Sequence, residues 1–210
     1  MALVFRKVSN NTLRMNRVSS KVHCWLPNIL FCCQKGRPMK RLRQLKTERL
    51  LLRQWDNDDF EVFAAYYADE EMARFVGGKS TRESAWRRMA SIIGHWTLRG
   101  YGYWAVEELN TGQFVGCVGL WFSDGWPELE LGYWLTRGMQ GKGYATEAAR
   151  HARDCAFGVV GSSSLVSYIH PDNEPSMRVA ETLGAHREAV IELLDYGPHC
   201  VYRYPKPPDR

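Results

Sequence analysis

The chain has 210 residues, 45% apolar and 24% charged, which suits a soluble globular protein long enough to bury one core. The formal net charge of +5 is unevenly spread: residues 1–47 hold 11 Lys and Arg and no Asp or Glu, so residues 48–210 hold 17 basic against 23 acidic residues, a net of −6. That balance speaks against a nucleic-acid-binding body and for a cationic acceptor; the six cysteines, with no C-x-x-C among them, speak against a structural zinc or a disulfide framework and for a reducing cytoplasm.

Residues 1–43 read as a basic tail. It is Arg-rich, Ser-containing and acid-free, as organellar transit segments are. Its apolar run, Cys24 to Cys33, is too short to cross a bilayer and holds Pro27. A nucleic-acid-binding arm would call for a reader motif, and the tail has none. The reading adopted is a leader over residues 1–38, upstream of a start at Met39 and expected to be disordered, followed by one folded domain over 44–210.

Leu45 to Arg53 reads as a strand. Asp56 to Asp59 offers several N-caps for a helix reaching about Ala68. Ser80-Thr81-Arg82-Glu83 is a capping box, and the helix it opens places Trp86, Met89, Ile93 and Trp96 on one stripe. Asn110-Thr111-Gly112 is a hairpin turn. An apolar run from Leu129 to Leu135 reads as a strand, and Thr146 to Phe157 as a helix. His151 and Cys155 share a face of that helix, but two ligands do not make a metal site. Leu165 to Ile169 is a further strand, broken by Pro171-Asp172-Asn173. Glu174 to Leu183 returns as a helix, and Val190 to Tyr204 as two strands around Gly197-Pro198. The fold class expected is mixed α+β: helices flanking a largely antiparallel twisted sheet, with one strand–loop–helix–strand unit in its middle.

The loop of that unit, Gln140-Gly141-Lys142-Gly143-Tyr144-Ala145, is the most informative stretch. A glycine-rich turn between a strand and a helix N-terminus exposes backbone N–H groups at the positive end of the helix dipole, which makes an anion site. The plain alternative is a tight turn and nothing more. Two phosphate-binding patterns can be set aside. The nucleoside-triphosphate loop needs a Ser or Thr after Gly-Lys, where this chain has Gly143. The dinucleotide fingerprint needs a third glycine, where this chain has Thr146.

The spacing that fits is Q/R-x-x-G-x-G/A, met by Gln140, Gly143 and Ala145. It resembles the pyrophosphate loop of the GNAT superfamily of acetyl-CoA-dependent N-acetyltransferases. Other segments resemble the ribosomal-protein N-terminal (RimJ/RimL-like) branch in order: Thr47 to Arg53 as its first strand, Arg74 to Gly78, the hairpin strands Gly102 to Val106 and Phe114 to Leu120, Glu130 to Leu135, and Asn173 to Ser176 followed by Leu183-Gly184. The match runs from about Leu45 to Val190. It departs at Ala185, where the family usually has an aromatic.

The resemblance implies a GNAT fold and transfer of an acetyl group from acetyl-CoA to a primary amine, either a protein N-terminus or a small molecule. The amides of Gly141, Lys142, Gly143, Tyr144 and Ala145, with Gln140, are expected to hold the pyrophosphate. The backbone at Leu135 is expected to bond the pantetheine arm, which Asn173 also reaches; Asn173 equally suits a helix cap for Ser176. Lys142 contacts a phosphate or faces water. Glu130 is the candidate base for the amine proton, with Glu128 on the same face as a second carboxylate that would raise one pKa. Many GNAT enzymes protonate the leaving thiolate with a Tyr four residues before the final glycine. Here that position is Ala180, and Ser176 is the candidate in its place. His170 is a second candidate base, though a lone His just before Pro171 is more often structural. No metal, nucleic acid or membrane is expected, and a homodimer through the terminal strands is plausible. Two other readings stay open: a CoA-binding sensor without turnover, and a nucleic-acid-associated protein acting through the tail.

Overall fold

The computed structural model describes residues 42–207; the tail expected over 1–43 lies outside the described residues except for Leu42 and Arg43. The described chain begins with Leu42, which is buried and whose carbonyl accepts a hydrogen bond from the indole N–H of Trp104 at 2.7 Å.

Eight strands form one sheet in the order β1-β2-β3-β4-β5-β6-β8-β7. They are β1 (Leu45–Lys46), β2 (Leu50–Arg53), β3 (Tyr103–Glu108), β4 (Phe114–Trp121), β5 (Glu130–Leu135), β6 (Val166–Ile169), β7 (His186–Glu192) and β8 (Pro198–Arg203). The single strand expected over 45–53 is two strands. Thr47 turns the chain, donating its N–H to Leu50 O and accepting the Leu50 N–H on its hydroxyl, and no Gly or Pro signals that turn. Every neighbouring pair is antiparallel except β5 and β6. That exception is the expected unit: β5, then helix α4 (Tyr144–Gly158), then β6.

The parallel pair touches at one register position, Glu130 opposite Val166, whereas β4 and β5 stay paired over six. Past Glu130 the two strands part, leaving a wedge in the middle of the sheet. This wedge places the site.

Helices α1 (Phe60–Ala68), α2 (Glu70–Ala73) and α3 (Arg82–Arg99) cover one face; α4 and α5 (Glu174–Thr182) cover the other. α4 buries Ala148, Ala149, Ala152 and Ala156, a stripe at helical spacing. Small side chains there let the helix axis lie close to β4 and β5 and bring its N-terminus to the end of β5. On the other face, Phe63 and Tyr67 of α1 and Met89 and Ile92 of α3 pack with Trp134 of β5.

The stripe expected on α3 is displaced. Met89 and Trp96 are buried, but Trp86 is 58% and Ile93 44% exposed, and Ala85, Ile92 and His95 complete the buried face. The helix begins one residue late as well. Thr81, not Ser80, caps it by accepting the Ser84 N–H, and the Ser80 hydroxyl is buried without a hydrogen bond.

Candidate active site

The turn after β5 is shaped by contacts that leave its amides free. Gly141 has φ +76° and Gly143 φ +81°, left-handed conformations that glycine alone adopts cheaply. Gly143 is the N-cap of α4 and offers no side chain, so nothing caps the helix from within. Among the described residues no protein oxygen accepts from the N–H groups of Gly141, Lys142, Gly143, Tyr144, Ala145 or Thr146. A run of unpaired donors at a helix N-terminus is a place for an anion.

Braces hold that turn from behind. Gln140 accepts from the Gly138 N–H at 3.0 Å and donates to Leu135 O at 3.1 Å. The Gln140 side chain and the Leu135 carbonyl are thereby engaged with the protein itself. Arg49 donates to Lys142 O at 2.9 Å, lies over the Tyr144 ring at 4.7 Å and ion-pairs with Glu147 at 2.7 Å. Glu147 also accepts from Arg49 N and the Thr47 hydroxyl. Burial pushes the Glu147 carboxyl up; the Thr47 hydroxyl and the Arg49 donors outweigh it and hold the group below its usual value. The Lys142 ammonium is exposed and rests against Met139 Sδ at 3.4 Å.

The wedge opens into a cavity of about 460 Å³. Glu130, Asn173 and Ser176 line it; the loop 140–145 does not. The residues expected to act together therefore fall into two groups joined by β5. From Glu130 to Leu135 is five steps, about 16 Å at the usual strand rise.

Glu130 stands where β5 and β6 meet. Burial drives its carboxyl up to about 8, against the opposing pull of the Trp126 indole and the Tyr168 backbone. The indole falls short of hydrogen-bonding geometry, and Trp126 Nε1 stays buried and unpartnered. The expected partnership with Glu128 does not form. Both Glu128 oxygens accept from Arg203 at 2.9 Å, the Ser164 hydroxyl donates at 2.7 Å, and the Arg203 hydrogen bonds hold its carboxyl low. Glu128 precedes β5, outside the alternation expected to align it with Glu130, and Arg203 from the far end of the chain claims it.

Asn173 caps α5, its side-chain oxygen accepting the Ser176 N–H at 3.3 Å. The Ser176 carbonyl accepts from Tyr133 OH at 2.8 Å, while its hydroxyl has no partner among the described residues. Ala180 is fully buried. His170 also lines the cavity, but its Nδ1 accepts the Asp172 N–H at 3.1 Å and its ring packs on Phe75 at 5.2 Å.

The remaining walls were not legible. Of Trp86, Trp96, Trp104 and Trp121, only Trp121 lines the cavity. Trp96 and Trp104 are core residues whose indoles donate to Tyr103 O and Leu42 O. Trp126, Tyr168 and Tyr196 form the aromatic wall beside Glu130, with ring centroids 5.8–6.1 Å apart. Tyr103 reaches in from β3 with its hydroxyl over Gly132, where a Cβ would stand 2.0 Å from it. No periodicity marks these residues; they come from loops and from strands far apart in the chain.

A family model described as "Acetyltransferase (GNAT) domain" matches residues 49–186. The protein YkkB of Bacillus subtilis is 32% identical over 176 residues, which is 78% of this chain and 96% of that protein. An acetyltransferase structure from Agrobacterium tumefaciens superposes with a TM-score of 0.72 at 34% identity, covering 77% of this chain and 94% of its own. RimJ from Mycobacterium smegmatis, solved in complex with CoA-disulfide, shares the fold at a TM-score of 0.59 and 19% identity, over 73% of this chain and 80% of its own.

Proposed function

Since the chain belongs to the GNAT acetyltransferase family, we propose that it moves the acetyl group of acetyl-CoA onto a primary amine, by direct attack while both substrates are held. The observation that carries this reading is that β5 has unpartnered main-chain donors beyond one end and a carboxyl with a pKa of about 8 at the other. The donors of residues 141–146 suit a pyrophosphate, and the Asn173 amide N–H₂ and the parted edge of β5 suit the arm that follows. Acetyl-CoA supplies the activated acyl group; the chain supplies placement and proton handling. Holding two reactants in line can supply about 7–11 kcal/mol of the barrier.

In this scheme Glu130 takes the proton as the amine nitrogen bonds the acetyl carbon and the carbon–sulfur bond breaks. A carboxyl near 8 is better matched to an amine than an ordinary one at 4.5, and such a base contributes about 10²–10⁴ in rate. The Ser176 hydroxyl, with no protein partner to satisfy, donates to the departing thiolate. A thiol pKa near 8.5 keeps that help modest. The reaction is placed in the cytoplasm, consistent with free Cys117, Cys155 and Cys200. Among the described residues, no helix is long and apolar enough to cross a membrane.

The test is thiol release from acetyl-CoA with an amine panel, alongside calorimetric binding of acetyl-CoA. The expected result is binding plus amine-dependent release that Glu130→Gln abolishes without weakening binding. Binding with no release on any amine would make the protein a CoA sensor.

A further inference from the structure

The cavity's charges say what kind of amine enters it. Glu130 is the only carboxylate among the lining residues, and Arg87 and Arg88 are the cations. Arg87 is exposed and paired with Glu83. Arg88 is not exposed and, among the described residues, is not paired with an acid. It projects from α3, donates from Nη1 to Val76 O at 3.0 Å and lies over the Tyr67 ring at 4.6 Å. Its guanidinium packs on Gly77, where a Cβ would come within 2.8 Å of Nη1. Two segments, α1 and residues 76–77, thus fix the plane of this fork. Among the described residues it forms no ion pair, whereas Arg49, Arg53, Arg137 and Arg203 each hold at least one carboxylate.

A partly buried guanidinium with no counter-ion is costly to keep, and its planar donors match a carboxylate in two parallel bonds. The phosphates of acetyl-CoA are not that counter-ion in the reading above: they belong at the 141–146 amides, which lie outside this cavity. Arg88 reaches the cavity from α3 and Glu130 from β5, so cation and carboxyl enter it from different elements.

We propose that the acceptor is a small amine carrying a carboxylate several bonds from its reactive nitrogen, with the carboxylate received by Arg88 and the nitrogen at Glu130. The proposal rests on the acetyl-transfer reading. It departs from the cationic acceptor that the net charge of residues 48–210 suggests, because the cavity's own charges differ from those of the surrounding surface.

The experiment compares matched amines in thiol release: γ-aminobutyrate against butylamine, ε-aminocaproate against hexylamine, with putrescine as the dicationic control. In parallel, tryptophan fluorescence reads the binding of N-acetyl-γ-aminobutyrate and N-butylacetamide to the protein with CoA. The expected preference for the carboxylate member is roughly 10- to 100-fold, the size of a hydrogen bond to a charged group. Arg88→Gln should bring the ratio toward one, and Arg88→Lys should keep part of it. Equal use of both members, or preference for putrescine, overturns the proposal while leaving acetyl transfer standing. Carboxylate-selective binding with no thiol release on any amine sinks the transfer reading and keeps the Arg88 site. No selectivity in either assay removes the site. If Arg88→Gln melts before assay, the wild-type ratios and Arg88→Lys decide.

Discussion

The anion turn follows β5, the cavity runs along that strand from Glu130 to Trp134, and the two are built from different materials. The turn presents main-chain donors over one continuous stretch, 141–146, and its geometry follows from two left-handed glycines and a helix start. The cavity presents side chains from α1, α3, β3, β4, β5, β6, α5, β8 and the intervening loops. A turn made of backbone tolerates most side-chain changes but no added Cβ at its glycines. A cavity made of side chains has its chemistry set residue by residue. Changes in the turn should therefore alter cofactor affinity, and changes in the cavity should alter turnover.

The largest expected effect is in the cavity. Glu130→Gln should lower kcat by about 10²–10⁴ with acetyl-CoA affinity unchanged; steady-state kinetics and calorimetry together read the split. The same group sets the pH dependence. Wild-type kcat/KM should rise with pH through about 8 as Glu130 loses its proton. Because the folded pKa lies above the ordinary 4.5, the protonated group contributes stability that is fully present below 4.5 and lost as pH rises toward 8. Melting curves at several pH values should show Glu130→Gln gaining on wild type across that window. A constant offset would mean that Glu130 titrates normally.

Gly143→Trp is the matching test of the turn. At φ +81°, with a Cβ 3.3 Å from Arg49 Nη2, a side chain there strains the backbone and covers the donors. Acetyl-CoA affinity should drop at least tenfold, roughly 1.4 kcal/mol or more; retained binding would remove the turn from the cofactor site.

A smaller effect should follow from Arg49→Ala, which leaves Glu147 partly buried without its cation and frees Lys142 O. We expect about 1–3 kcal/mol of lost stability and a raised KM for acetyl-CoA, with kcat at saturation preserved. Smallest of all, Ser176→Ala should cost less than about tenfold in kcat, since a thiolate leaves readily without help. A much larger loss would give Ser176 a larger share of the chemistry than its position implies.

The turn was legible because its determinants are adjacent in sequence. An apolar strand, glycines at 141 and 143 and a helical run specify both the backbone path and the free donors. The alternation of β5 put Glu130 on a defined face, and the Asn173 cap could be read from Pro171-Asp172-Asn173 followed by a helix. Glu128 shows the limit of that reasoning. Strand alternation was extended to it, but Glu128 precedes β5 and its partner Arg203 lies 75 residues away, and no local pattern signals it. Trp86 and Trp96 show the same limit on α3: helical spacing names the stripes, but contact with α1 selects the one that is buried.

The residue order by itself determined the sheet-and-helix alternation, the glycine turn and the family, because each depends on neighbours along the chain. Only tertiary structure decided that β5 and β6 part after a single register pair, that Arg49 braces the turn from the first hairpin, and that Arg88 lines the cavity with no ion pair among the described residues. Burial and charge pairing depend on which distant segments meet, and those encounters set the Glu130 carboxyl near 8 and keep Glu128 low.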